Sequence, residues 1–290
     1  MLLRNVQRAL GESVRSRVAG ADADSRAAQI WGKPGPRWFR PEDPVWRVHE
    51  DASMFPGGIA ALLLQTLHPL AMAGVAGHSG YRSDPWGRLT RTSDYIAITT
   101  YATIPDAEAL IARVRVRHEQ VRGKDYRGRP YRASDPDLLS WVHAAEIQAF
   151  LWAHQAYGRA PLSARDADLY VEQAGLPAAR LGVPDPPRSV AELTGVIEAM
   201  RPQLETSPEA LDTVDFLLRT PPVPGVGRPG YMLLAYGAVA LLPGWVRTML
   251  GISLPEPALP VASGLGRFGT AAVRWGLAGV ENRRSAAPAA

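Results

Sequence analysis

The sequence contains no cysteine. That single absence excludes disulfides, thiolate metal sites, thiolate-ligated haem and cysteine nucleophiles. It leaves the compartment open, because a chain without thiols survives in either redox environment. Other signatures are missing too. There is no Gly-x-Ser-x-Gly elbow, no phosphate-binding loop, no dinucleotide fingerprint and no Asp-rich calcium loop. A concentrated basic stripe with aromatic stacking platforms is also lacking. The net charge is only +4, and the nearest cluster is Arg113, Arg115, Arg117, Arg122 and Lys124. Nucleic acid is therefore not an expected partner. Met1-Leu2-Leu3-Arg4 runs into Asn5, Gln7 and Arg8 rather than an apolar signal core. A cytoplasmic protein is expected, with contact at a membrane surface left open.

What is present is a chain of 290 residues, 46% hydrophobic, enough to bury a substantial core. Strand alternation and internal repeats are not evident, and almost every segment reads as helix. Residues 1–20 suggest an amphipathic helix, and Trp31–Pro44 reads as a Pro- and aromatic-rich wrapping loop. Glu42–Glu50 suggests a short helix. A helical pattern then starts at Gly58 and bends near Pro69. Pro105, with Asp106 and Glu108 behind it, opens a helix that Gly123 stops. Ser134 or Asp135 before Pro136 opens a long helix to about Gly158. Ser163 with Asp166, and Ser189 with Glu192, fit capping boxes. Further helices are expected at Glu209–Arg219, Tyr231–Leu242, Pro243–Leu250 and Leu265–Leu277, with a disordered tail over Glu281–Ala290. The whole reads as one all-α, multi-helix domain. Its expected parts are an N-terminal helix and wrapping loop (1–45), a main body (46–255) and a C-terminal helix with its tail (256–290).

Two stretches, Gly58–Gly77 and Tyr231–Ile252, are apolar enough to invite a membrane reading. His68-Pro69 interrupts the first; Pro243-Gly244 and Arg247 interrupt the second. Buried core helices fit them better.

The chemistry candidates cluster between Gly57 and His118. An apolar run carries His68 and His78 and leads into a helix with Arg88, Arg91, Thr92 and Tyr95 on one face. That face fits a solvated charged surface, or guanidinium groups turned towards a bound anion or a reaction pocket. His68 precedes Pro69, so its backbone is pushed off helix; it lines a cavity or sits in a packed bend. His118 falls on the apolar stripe of its helix with Leu110, Val114 and Val121. That position suits a core histidine bonded to a carbonyl, or an axial ligand to haem iron. His143 and His154 lie eleven apart, not at metal spacing, and Trp141 beside His143 points to packing.

Four pieces of sequence carry a family resemblance: LLLQTLHPLAMAGVAGHSGYRSDPWGRLTRTSDYI, RVRVRHEQVRG, YRASDPDLLSWVHA and LLPGWVRTMLG. Together, from about Trp46 to Leu250, the chain resembles the MpaB/latex-clearing-protein family, the rubber oxygenase type of catalytic domain. The resemblance implies an all-helical fold with a globin-like core that binds haem b. It implies an oxygenase acting with O₂ or peroxide on a small apolar substrate, isoprenoid or lipid-like. By position, His118 matches the family's proximal iron ligand. Arg88 and Thr92 match the Arg and Thr of its distal Arg-x-x-Lys-Thr pattern, and Tyr95 joins them as a cofactor contact. Arg91 stands where the family has Lys. An Arg is not readily deprotonated to cap the iron as that Lys can. The general-base Glu of rubber cleavage has no clear counterpart; His68 and His78 are the acid/base candidates instead. These departures argue against rubber itself. A haem protein that senses or stores without turnover, and a cofactor-free binder of an apolar ligand, remain the alternatives.

Overall fold

The structure is a computed structural model that describes residues 5, 7, 9–13, 23–80 and 82–286. Helices carry nearly all of its regular structure: α1 (Ala23–Trp31), α2 (Pro44–Glu50), α3 (Met54–Gln65), α4 (Pro69–His78), α5 (Pro85–Tyr101), α6 (Ile104–Gln120), α7 (Pro136–Tyr157), α8 (Ala164–Leu181), α9 (Val190–Met200), α10 (Pro208–Leu218), α11 (Arg228–Leu241), α12 (Gly244–Met249) and α13 (Leu259–Ala286). The all-α reading holds. Of the helix expected over 1–20, residues 5, 7 and 9–13 are helical and the rest lie outside the described residues.

Side-chain caps set several helix starts. The Ser163 hydroxyl accepts from the Asp166 N–H at 3.1 Å, and Ser189 from Glu192 at 3.1 Å. Ser207 accepts from Ala210, and the Asp135 carboxylate from the Asp137 N–H. Each satisfies a backbone donor that a helix end leaves without a partner. The wrapping loop is pinned by Arg37, whose guanidinium donates to the carbonyls of Tyr101 and Lys33 at 2.9 and 2.8 Å.

Two central packings organise the body. α3 lies along α7, where Leu63, Leu64, Leu67 and Trp141 are fully buried. α11 lies along α13, where Gly237 and Gly266 let the backbones touch: a Cβ on Gly266 would sit 2.4 Å from the Gly237 Cα. Tyr157 of α7 closes that crossing, its hydroxyl donating to the Gly237 carbonyl at 3.0 Å.

His68 breaks the apolar run as its sequence demands. It is extended (φ −89°, ψ 107°) ahead of Pro69, and α3 and α4 meet at 111°. Among the described residues no single helix is long and apolar enough to cross a membrane.

Two features depart from expectation. A two-stranded antiparallel hairpin, β1 (Arg122–Lys124) and β2 (Pro130–Arg132), follows α6, with Gly123 opposite Tyr131. Gly123 thus lies inside a strand, not at a helix stop. Strands of three residues are too short to show alternation. What makes the turn is the buried Asp125 carboxylate, which accepts from the Arg127 and Arg129 N–H groups, with Gly128 at φ +80°. The last helix is also longer than expected. It runs from Leu259 through residues 281–286, the first part of the segment expected as a disordered tail.

Candidate functional site

α2, α4, α5, α6, α7 and α8 enclose a cavity of about 430 Å³. That volume lies in the range of small-molecule sites. Its walls are mainly apolar: Val75, Ile96, Val121, Val142, Ile147 and Phe150 among them. The titratable groups of chemical interest that reach it are His49, His78, Arg91, Tyr95, Arg117, His118, His143 and Glu146, with the hydroxyl side chains Ser79, Thr99, Thr100 and Tyr131 also in the lining. A second hollow of about 520 Å³ is lined from α7, α8 and α9 and the Pro243–Trp245 turn, and has no histidine, arginine or tyrosine in its lining. The first is the chemical candidate.

His118 comes from the last turn of α6. Its Nδ1 is buried without a partner, and the ring makes no hydrogen bond among the described residues. Burial lowers its pKa, with Glu119 opposing, so the neutral imidazole is favoured. Arg91 and Arg117 are exposed cations on the same lining. Arg91 is held loosely: it donates to the Asp84 carboxylate at 3.3 Å and to the Ser79 carbonyl at 3.4 Å. His78 is exposed and stands edge-on to the Tyr131 ring at 6.3 Å. These residues form the rim.

The interior end is different. His143 and Glu146, one turn apart on α7, both face the cavity. Burial pushes the Glu146 carboxyl up to about 7 and the His143 imidazole down to about 4. Glu146 is enclosed by protein yet keeps accessible surface, because that surface faces the cavity and not bulk solvent. His49, from α2, has Nδ1 2.8 Å from the Thr100 hydroxyl and a buried Nε2 with no partner. Burial, then the nearby His154, lowers its pKa to about 3. Its ring is edge-on to Phe150 and Tyr170, at 5.8 and 5.9 Å. Burial, with Glu146 close by, raises the pKa of the Tyr95 phenol.

The structure thus gathers His78, Arg91, Tyr95 and His118 on one cavity. It places three other candidates elsewhere. Arg88 is half-buried on α5 and does not line the cavity. The exposed Thr92 donates its hydroxyl to the Arg88 carbonyl at 3.1 Å, spending it on its own helix. His68 is buried in the α3–α4 bend against Trp141, ring centroids 6.2 Å apart. Neither of its ring nitrogens has a partner; the Gln203 side chain is near but outside hydrogen-bond geometry.

Sequence reasoning missed Glu146 and His49 and took His143 for packing. A signal existed for one of them. Beyond its first turn, α7 contains a single acid, Glu146, three residues after His143 and four before Phe150 in a largely apolar helix. A carboxylate in that setting is costly unless something meets it. His49 carried no such signal, because only the tertiary fold brings α2 to α7.

No group of three His, Asp or Glu side chains among the described residues could hold a bare metal ion. The cavity instead offers imidazoles with unpartnered ring nitrogens, His118 nearest the rim, together with apolar walls and guanidinium groups at the rim. That set suits a flat, mainly apolar ligand with anionic substituents.

Comparison with known proteins gives a consistent picture. The sequence model of the family described as "ER-bound oxygenase mpaB/B'/Rubber oxygenase, catalytic domain" matches residues 46–275. Two uncharacterized proteins, one of Mycobacterium bovis and one of Mycobacterium tuberculosis, are each 34% identical over 111 residues. Those matches cover 37% of this chain and 43% of each relative. The chain therefore spans less than half the length of these curated relatives. No solved structure matches.

Proposed function

The chain belongs to the family of mpaB-type and rubber oxygenase catalytic domains, and we propose that it is a haem b-dependent oxygenase of a small apolar substrate. The observation that carries the reading is His118: a neutral imidazole, unbonded, on the wall of an apolar cavity of about 430 Å³. His118 is the residue that would ligate the iron. Arg91 and Arg117, on the rim, would pair with the propionates, a geometry to which guanidinium forks are suited. Tyr95 is a further cofactor contact, and His78 at the mouth is the acid/base candidate nearest solvent. In the same reading the helices around the cavity form a globin-like core within the catalytic body, and Arg88 and Thr92 brace the helix that presents Arg91.

Haem, when bound, supplies the redox chemistry with O₂ or peroxide. The chain's own residues hold the apolar substrate, keep bulk water out with the α4, α5 and α7 walls, and fix polar groups around it.

An absorption spectrum with iron quantitation tests the reading. Haemin supplied to the purified protein should give a Soret band with one iron per chain, and His118→Ala should lose it. A colourless wild-type protein, or a His118→Ala variant with unchanged loading and spectrum, would overturn the assignment. Oxygen uptake with terpenoid or lipid substrates then separates an oxygenase from a haem protein without turnover.

A further inference from the structure

The cavity's interior end holds more unmet hydrogen-bonding capacity than an apolar substrate needs. His49 Nε2 and His143 Nε2 are buried and have no partner among the described residues. The carboxyl of Glu146 and the hydroxyl of Tyr95 face the same space and also make no hydrogen bond there. These groups belong together. His143 and Glu146 share one face of α7, and Glu146 lies close enough to Tyr95 and Tyr170 to perturb both phenols. The Tyr170 ring in turn stands against His49. Leaving several such groups desolvated without partners costs stability, so a ligand that pairs with them recovers it.

Resting on the apolar-substrate reading of this cavity, we propose that the substrate is an amphiphile, an apolar chain ending in a hydroxyl, whose head lies at the interior end among His49, His143, Glu146 and Tyr95 and bonds up to three of them. A hydroxyl both donates and accepts. Its O–H can donate to an imidazole Nε2, and its oxygen can accept from the Tyr95 phenol or the protonated Glu146 carboxyl. An anionic head does not fit, because the cavity's cations, Arg91 and Arg117, are out at the rim. An ammonium head would bury a full charge against one carboxyl whose pKa burial has already raised to about 7.

The test is displacement of radiolabelled n-decanol from the purified full chain by decane, decanoic acid and decylamine. It is run before and after haemin loading, with the Soret band recorded alongside. Unlabelled n-decanol should displace at a concentration at least about ten-fold below that of decane, since removing the hydroxyl strands buried partners. Glu146→Leu and His143→Leu should each abolish most of that preference while still binding decane, which also shows that they fold. Equal displacement by decane and decanol, or a preference for the acid or the amine, would overturn the proposal. If neither variant folds, the wild-type series decides by itself. A decanol preference without any Soret band would sink the haem reading and leave this one standing. A Soret band with no decanol preference would do the reverse.

Discussion

Arg274 of α13 donates through Nη2 to both carboxylate oxygens of Asp51, at 2.8 and 3.1 Å, and to the Tyr157 carbonyl at 2.9 Å. The pair ties the C-terminal helix to the turn that opens α3. Asp51 is almost wholly buried and also accepts from the Ser53 N–H at 2.7 Å. Replacing Arg274 by Met should leave that carboxylate without its cation and cost about 3 kcal/mol, read as a lowered midpoint in urea unfolding. Burial alone would raise the Asp51 pKa, but Arg274 and Ser53 outweigh it and hold it below the usual value. The stabilisation is therefore present at neutral pH and lost on acidification, so wild type and variant should converge as pH falls below the usual carboxylate range.

Glu146 makes the opposite pH prediction. Its carboxyl titrates near 4.5 when unfolded and at about 7 in the fold. The fold favours the protonated form, so this contribution is complete below pH 4.5 and drains away as pH rises through 7. Glu146→Gln should therefore be more stable than wild type at pH 8, by up to about 3 kcal/mol, and gain little at pH 4.5. Chemical denaturation across that range would refute the assignment if the two curves ran parallel.

His49 and His143 should shape the acid limb. Burial lowers their pKa values to about 3 and about 4, against 6.5 in the unfolded chain. Their neutral forms add stability that is full above pH 6.5 and is lost as pH falls towards those values. His143→Phe should flatten the decline between pH 6 and 4; an unaltered slope in a series of thermal melts would count against a buried neutral imidazole.

The α11–α13 crossing tolerates no side chain on Gly266, because the nearest obstacle is the Gly237 Cα, which is backbone. Gly266→Ala should push the two helices apart and cost about 2–4 kcal/mol. Calorimetry would show this as a lower Tm. An unchanged Tm would mean the helices are not in contact there.

Arg91 and Thr92, adjacent on α5, should behave differently. Arg91→Ala removes a rim cation and should weaken haemin retention by about ten-fold in a transfer assay to apomyoglobin. Thr92→Val should change it by less than about two-fold, because the hydroxyl bonds the Arg88 carbonyl and not the cavity. Equal losses would place Thr92 at the cofactor after all.

Much of the helical frame was legible because its causes are local. Ser163, Ser189 and Asp135 announce helix starts within three residues, and Pro69 dictates the extended backbone of His68. The hairpin was illegible because it depends on a side chain, Asp125, folding the backbone over itself. Of the site, the helix carrying His118 and the face carrying Arg91 and Tyr95 could be read from spacing. The turning of Thr92 back onto its own helix could not, nor could the meeting of α2 with α7 that brings His49 to His143 and Glu146. Those relations exist only once distant segments pack.

The 111° bend at His68-Pro69 has a consequence for how the chain is made. During synthesis the two apolar limbs emerge well before α7, whose Trp141 and neighbours bury them. A nascent chain interrupted in that interval displays its greasiest segment bare, with the composition of a membrane insert. Full-length product should therefore fall when chaperone capacity is limited during translation.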